Sequence, residues 1–236
     1  MSAIFKKELR SYFTSPLGYI VLAVVFLFAG WSFFAYNMSF GAVSLSYVYN
    51  SLYTVVMLLV LPVLTMRLFS DEKRQKTDQA LFTAPTSLTA LVVGKFLAAL
   101  LLFAMSMAIT LVFAIIIATK TTPEWLVIFG NYFGIILLGG MIIAIGLLIS
   151  CLTESQFIAA IGTFAISFLL ILLDQVGGVF QGVEWLNKVL AFLSVNTRYT
   201  NFTSGLIRYD NIIFFLSMQA LFLFLAVRVL DRKRWK

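Results

Sequence analysis

From Ser11 to Met66 the chain holds no Asp, Glu, Lys, Arg or His, an interval of 56 residues bounded by Lys6, Lys7 and Arg10 before it and Arg67 after it. A charge at the centre of a bilayer-spanning helix costs about 2.5–3.5 kcal/mol on insertion scales, so a charge-free run of this length reads as lipid-embedded chain. One span needs about 20 residues at about 1.5 Å per residue. The run therefore accommodates two spans and a short connection.

The remainder repeats the pattern. With 61% hydrophobic and 11% charged residues and a mean hydropathy of +1.01, the chain lies far from an average soluble domain. The apolar periodicity predicts an all-α integral membrane protein with six transmembrane helices near 17–36, 51–66, 91–119, 125–150, 157–173 and 211–228. Six spans use most of the 236 positions, so residues 1–236 are expected to form a single transmembrane domain without a separate soluble one. The first apolar stretch is long and is followed only by weak small-residue sites such as Gly30 to Ser32, so it is expected to be retained as a span.

Basic residues set the orientation. One side carries 13: Lys6, Lys7 and Arg10, then Arg67, Lys73, Arg74, Lys76 and Lys95, then Arg228, Arg232, Lys233, Arg234 and Lys236. The other side carries 4, namely Lys120, Lys188, Arg198 and Arg208. The positive-inside rule places both termini in the cytoplasm. The net charge of +7 is then a topology signal, explained by anionic headgroups at span ends, and no nucleic-acid partner is expected.

Cys151 is the single cysteine and histidine is absent, which excludes a disulfide framework, the usual zinc sites and Ser/His/Asp or Cys/His catalysis. The pair Gly94-Lys95 is followed by Phe96 and lacks the glycine five residues earlier that a phosphate-gripping loop needs. No enzyme activity, cofactor or metal is expected in this chain. Any energy from nucleotide hydrolysis has to come from another chain.

Four segments carry more. In 2–13, Phe5, Leu9, Tyr12 and Phe13 recur at helical spacing opposite Lys6, Lys7, Arg10 and Ser11, which predicts an amphipathic helix on the membrane surface, separated from the first span by Pro16. It serves as a simple anchor or as an elbow that also touches a cytoplasmic partner. Within 68–87, Ser70 is placed as the cap of a short helix carrying Asp71 and Glu72 in its first turn, with Lys73, Arg74 and Lys76 behind them. A second turn from Thr77 presents Ala80, Leu81 and Phe82 and stops before Pro85. That segment is either a solvated loop or a docking element whose apolar pair fills a partner's groove.

Thr122 and Pro123 are expected to open the fourth span, with Trp125 at the interface. Gly130 with Gly134, Gly140 with Ala144 and Gly146 with Ser150 mark close helix contacts, within one subunit or between two. In the outer segment 174–210, Val183, Leu186, Leu190 and Leu193 suit a short helix at the outer leaflet, and Asp210 caps the sixth span. The sequons Asn37-Met38-Ser39 and Asn201-Phe202-Thr203 are too short to carry weight. Ser106, Thr110, Thr163, Ser167 and Gln219 read as helix-packing groups. Glu154 and Asp174 lie at span ends and Arg228 can reach the surface, so the midplane charges of an ion-coupled carrier are missing.

Together these segments resemble the ABC-2 family of ATP-binding-cassette transporter permeases, in particular the gliding-motility permease GldF and its relatives. Lys6-Lys7-Glu8-Leu9-Arg10 through Phe13-Thr14-Ser15-Pro16-Leu17-Gly18-Tyr19 is similar to that family's elbow helix and entry into span one. Glu72-Lys73-Arg74, Thr77, Leu81 and Thr83-Ala84-Pro85-Thr86-Ser87 resemble its cytoplasmic coupling segment. Leu152-Thr153-Glu154-Ser155-Gln156 resembles the turn between spans four and five, and Phe192 through Arg198, Phe202, Gly205-Leu206-Ile207 and Asp210 the outer segment before span six. Two departures stand out: Lys76 replaces a common glycine, and Asp78-Gln79-Ala80 replaces a sequence richer in leucine and glutamate.

The resemblance implies an ATPase-coupling interface at Asp71, Glu72, Lys73, Arg74, Thr77, Leu81, Phe82 and Pro85, an elbow helix using Phe5, Lys6, Lys7, Leu9 and Arg10, and a cytoplasmic turn at Thr153, Glu154 and Gln156. It implies a type V exporter-like permease fold in a bacterial cytoplasmic membrane, ATPase subunits that bind ATP and Mg, and a second permease copy or a homologous permease. An extracytoplasmic accessory subunit of the GldG type is a further implied partner. The cargo class that fits apolar spans and the family's range is hydrophobic, amphipathic or glycan. The competing class is a non-transporting membrane scaffold in an ATPase-driven machine.

Overall fold

A computed structural model describes residues 2–41, 44–74, 87–119, 122–176, 194–206 and 208–234. Every regular element among them is helical. In chain order they are α1 (Ser2–Thr14), α2 (Pro16–Ser39), α3 (Ser46–Arg74), α4 (Leu88–Ala118), α5 (Trp125–Leu152), α6 (Gln156–Val176), α7 (Val195–Thr203) and α8 (Tyr209–Arg234). Six of these, all but α1 and α7, are long and apolar enough to cross a bilayer. Each expected span is present, with most ends reaching past the apolar runs.

Local chemistry explains the boundaries. Ser15 is extended (φ −100°, ψ 155°) and Pro16 opens α2, where a missing N–H costs nothing. Ser87 caps α4 by accepting from the Ala90 amide at 3.2 Å, and Ser194 caps α7 by accepting from Thr197 at 3.2 Å. Inside α3, Pro62 cannot donate to the preceding turn. A π-helical stretch, Val56–Val60, absorbs the mismatch, with the Leu61 amide reaching back to the Val56 carbonyl.

Three expected caps are placed differently. α5 begins at Trp125 rather than at Pro123, because Glu124 takes a non-helical backbone (φ −79°, ψ 84°) that separates Thr122 and Pro123 from the helix. Ser70 does not cap a new helix: its hydroxyl donates back to the Met66 carbonyl, continuing α3 through a turn. Asp210 sits in the first turn of α8 rather than ahead of it and pairs with Arg208 at 3.4 Å. The helix expected around Val183 to Leu193 lies outside the described residues, whereas α7 forms just after it.

α5 is the centre of the bundle. Some 78% of its apolar window is buried, against 17% for α6 and 22% for α8, and it packs against α3, α4, α6, α7 and α8. The small residues of α5 make contacts within the chain. A methyl added at Gly140 would meet the Gln219 amide, and one at Gly146 would overlap Thr65. Gln219 donates to the Leu137 carbonyl at 3.0 Å, and the hydroxyls of Tyr49 and Thr110 lie 2.7 Å apart. Ser106 and Thr163 bond within their own helices, to Phe103 and Ala159. Exposed apolar side chains such as Leu27, Trp31, Ile158, Leu169, Ile213 and Leu216 face outward, where acyl chains satisfy them.

Candidate functional site

At one end of the bundle α1, the last turn of α3, the first turns of α4 and the α5–α6 turn converge. α1 lies with Ile4, Phe5, Glu8, Leu9 and Tyr12 turned toward the protein and Lys6, Lys7 and Arg10 exposed. Gly94 permits the approach, since a Cβ there would come within 3.0 Å of the Ile4 methyl. The amphipathic face thus packs on α4.

Lys95, two turns into α4 and only 2% exposed, is the hub. Its ammonium donates to Glu8 of α1 at 3.0 Å and to Glu72 of α3 at 2.8 Å, and lies 5.0 Å from the centroid of the Phe69 ring. Three elements are thereby joined through one cation. A buried charge is tolerable when paired and hydrogen-bonded, and here two carboxylates and a ring face surround the ammonium.

A second set of contacts seats α3 on the end of α5. The Ser150 hydroxyl accepts from the amides of Phe69 and Ser70 at 2.9 and 3.0 Å, satisfying donors that the turn at 66–69 leaves without helical partners. The Lys73 ammonium donates to the Cys151 carbonyl. Asp71 pairs with Arg67 at 2.6 Å through one oxygen and accepts from the Gln156 side-chain amide with the other, so the α5–α6 turn is tied in as well. That turn is stabilised locally by the Ser155 amide donating to the Thr153 hydroxyl at 3.1 Å.

Tyr12, on α1 outside the spans, is buried between these sets. Burial pushes its phenol well above the usual range, the Glu8 charge adds to the rise, and Arg67 opposes it, so the hydroxyl keeps its proton.

The structure thus engages Asp71, Glu72, Lys73 and Gln156 inside the chain, while Arg74 and Glu154 point outward. Thr77, Leu81, Phe82 and Pro85 lie outside the described residues. Sequence reasoning counted Lys95 only as a topology charge and gave Glu8 and Ser150 no electrostatic part. A signal was present: Lys95 is the one charge inside the predicted 91–119 span, and Glu8 is the one acid in the first 70 residues. An ionisable residue placed within a span calls for a partner of opposite sign.

Among the described residues no group of three or more His, Cys, Asp or Glu is arranged to hold a metal ion. The arrangement is mechanical: it fixes the relative positions of helix ends through ion pairs, and a load on α1 or on the end of α3 reaches α4 and α5 directly. No curated protein matches the chain significantly. The family model for the ABC-2 family transporter protein matches residues 2–235, nearly the whole length. With six membrane-length helices, that match makes this multi-pass chain a member of the ABC-2 transporter family, whose chains are the transmembrane component rather than the ATPase and work with ATPase subunits.

Proposed function

We propose that this chain is the permease subunit that forms the translocation path as a pair, with a second copy or a homologous permease, above two ATPase chains that bind ATP and Mg. Both termini face the cytoplasm of a bacterial plasma membrane, as the excess of Lys and Arg at that end supports. The observation that carries the reading is the Lys95 junction. The two elements proposed to take the load from the ATPase, α1 and the end of α3, are both anchored to α4 through Glu8 and Glu72. Movement of α1 or of the end of α3 is passed to α4 through these two pairs.

Because Asp71, Glu72 and Lys73 are occupied internally, the ATPase contact falls to Arg74, Thr77, Leu81, Phe82 and Pro85, with Lys6, Lys7 and Arg10 on the exposed side of α1 and Glu154 on the adjacent turn. Coupling requires that the ATPase bind two membrane conformations with different affinity, since equal binding shifts nothing. The scarcity of polar groups in the spans favours a hydrophobic or amphipathic cargo, and a glycan enters from the family resemblance alone. A GldF-like role with a GldG-type accessory subunit rests on the sequence resemblance alone.

Purification in mild detergent with identification of every co-eluting chain is the direct test. A cassette-type ATPase in the complex, stimulated by a candidate cargo after reconstitution, is the expected result. A complex without an ATPase overturns the reading, and an ATPase that no cargo stimulates favours a scaffold.

A further inference from the structure

Halfway along α6, the hydroxyl of Ser167 is fully buried and has no hydrogen-bond partner among the described residues. Thr163, on the same face, differs: its hydroxyl donates back to the Ala159 carbonyl at 2.9 Å. In hydrocarbon a lone donor has no water to turn to, so leaving it unmade is costly.

An acceptor in the same condition lies in α3. The Met57 carbonyl would take a bond from the amide of residue 61 in an α-helical turn, or from that of residue 62 in a π-helical one. The Leu61 amide is committed to Val56, and Pro62 has no N–H. The Met57 carbonyl is therefore left without its helical donor, on a residue that is itself fully buried.

Helix geometry turns the two groups toward each other. Gln156, the first residue of α6, bonds to Asp71 near the end of α3, and α6 then packs back along Leu61–Thr65 and Val56–Val60, so the two helices are antiparallel. Ser167 follows Gln156 by about three turns, which returns it to the same face about 16 Å along the axis. Gly162, whose added Cβ would meet Ile149 of α5, lies about 140° away around α6. The same number of residues counted back from Asp71 reaches Val60, and since helical carbonyls point toward the C-terminal end, the Met57 oxygen sits close to that level.

We infer that the Ser167 hydroxyl and the Met57 carbonyl are the two halves of a hydrogen bond that forms in a second conformation of this transporter, after α6 shifts against α3 by less than one turn. The bond is open in the arrangement described above and closed in the other, so Ser167 is a positioning residue that favours the second. α6 has room for the shift, with only 17% of its apolar window buried. The inference rests on the permease reading for what drives the movement, and on the fold alone for the two unpaired groups.

Two arms test it, one of them without the ATPase. In the detergent-purified full chain, Ser167→Ala is expected to leave the thermal midpoint unchanged or to raise it, since the hydroxyl it removes is unpaired. A lowered midpoint shows that the hydroxyl already has a partner and overturns the inference. In the complex with its co-purifying ATPase, Ser167→Ala is expected to slow ATP turnover about threefold to tenfold, the size of one neutral hydrogen bond, while Ser167→Thr stays within about twofold of the parent. Pro62→Ala returns a backbone donor to α3 and is expected to slow turnover by itself, with no further loss when Ser167→Ala is added to it. Parent-like turnover in Ser167→Ala, or the full loss repeated in the Pro62→Ala background, overturns the inference. A preparation that holds no ATPase counts against the permease reading, and the thermal arm then decides this one.

Discussion

The ammonium of Lys95 and the carboxylate of Glu72 meet at 2.8 Å, 23 positions apart in the chain, and this contact closes the gap between the end of α3 and the start of α4. With Glu8 as the second acceptor, it makes a three-way junction of α1, α3 and α4.

Replacing Lys95 by Met removes the ammonium that Glu8 and Glu72 share. The expected loss is about 3–5 kcal/mol, the range for removing one partner of a buried pair. Adding Glu8→Gln and Glu72→Gln to the same variant is expected to recover most of it, because the uncompensated charges go with them. Thermal unfolding of the three proteins in one detergent measures both effects. A triple variant no more stable than Lys95→Met alone would argue that Lys95 matters for packing rather than charge.

Leu81→Asp and Phe82→Ala are expected to reduce ATPase co-purification by about tenfold or more, as truncating an interface anchor does, while the protein stays in the membrane. Quantitative pull-down alongside membrane fractionation separates the two properties. Unchanged pull-down in both variants removes the coupling role proposed for that segment.

How far these features could be foreseen depended on the kind of signal each gives. The six spans were legible because burying charge in hydrocarbon is so unfavourable that sequence alone marks them. The N-terminal helix α1 was legible from the spacing of Phe5, Leu9 and Tyr12. Its seat on α4 was not, because Gly94 and Ile4 are 90 positions apart and neither stands out alone. The caps at Thr122 and Ser70 misled for a related reason: a capping residue type is needed for a cap but does not create one. At Ser70 the neighbouring Ser150 hydroxyl already serves the free amides, so α3 runs on through the turn.

Packing at α5 gives a contrast between two glycines. Gly146→Leu forces a side chain against Thr65 and is expected to destabilise by about 1–3 kcal/mol, the usual size of overpacking. Gly30→Ala meets no atom within 4 Å and is expected to be neutral or slightly stabilising. Thermal midpoints in the same detergent compare them directly. Equal midpoints for the two variants would count against the close approach of α3 to α5.

Cys151 offers a reporter for the α3–α5 seat. It is the single cysteine and is fully buried, so a membrane-permeant maleimide is expected to label it only slowly in the folded protein. Lys73→Ala removes the ammonium that holds its carbonyl and is expected to speed labelling through local opening. A labelling rate indifferent to Lys73 would mean that α3 remains seated without it.

The burial of α5 on nearly every side bears on how such a protein changes shape. A rod clasped by five neighbours has no free room to tilt, and close-packed interiors switch between discrete arrangements rather than bending smoothly. The helices with room around them are the outer ones, α6 and α8, the least enclosed of the six, while α5 is the axle that they lie against.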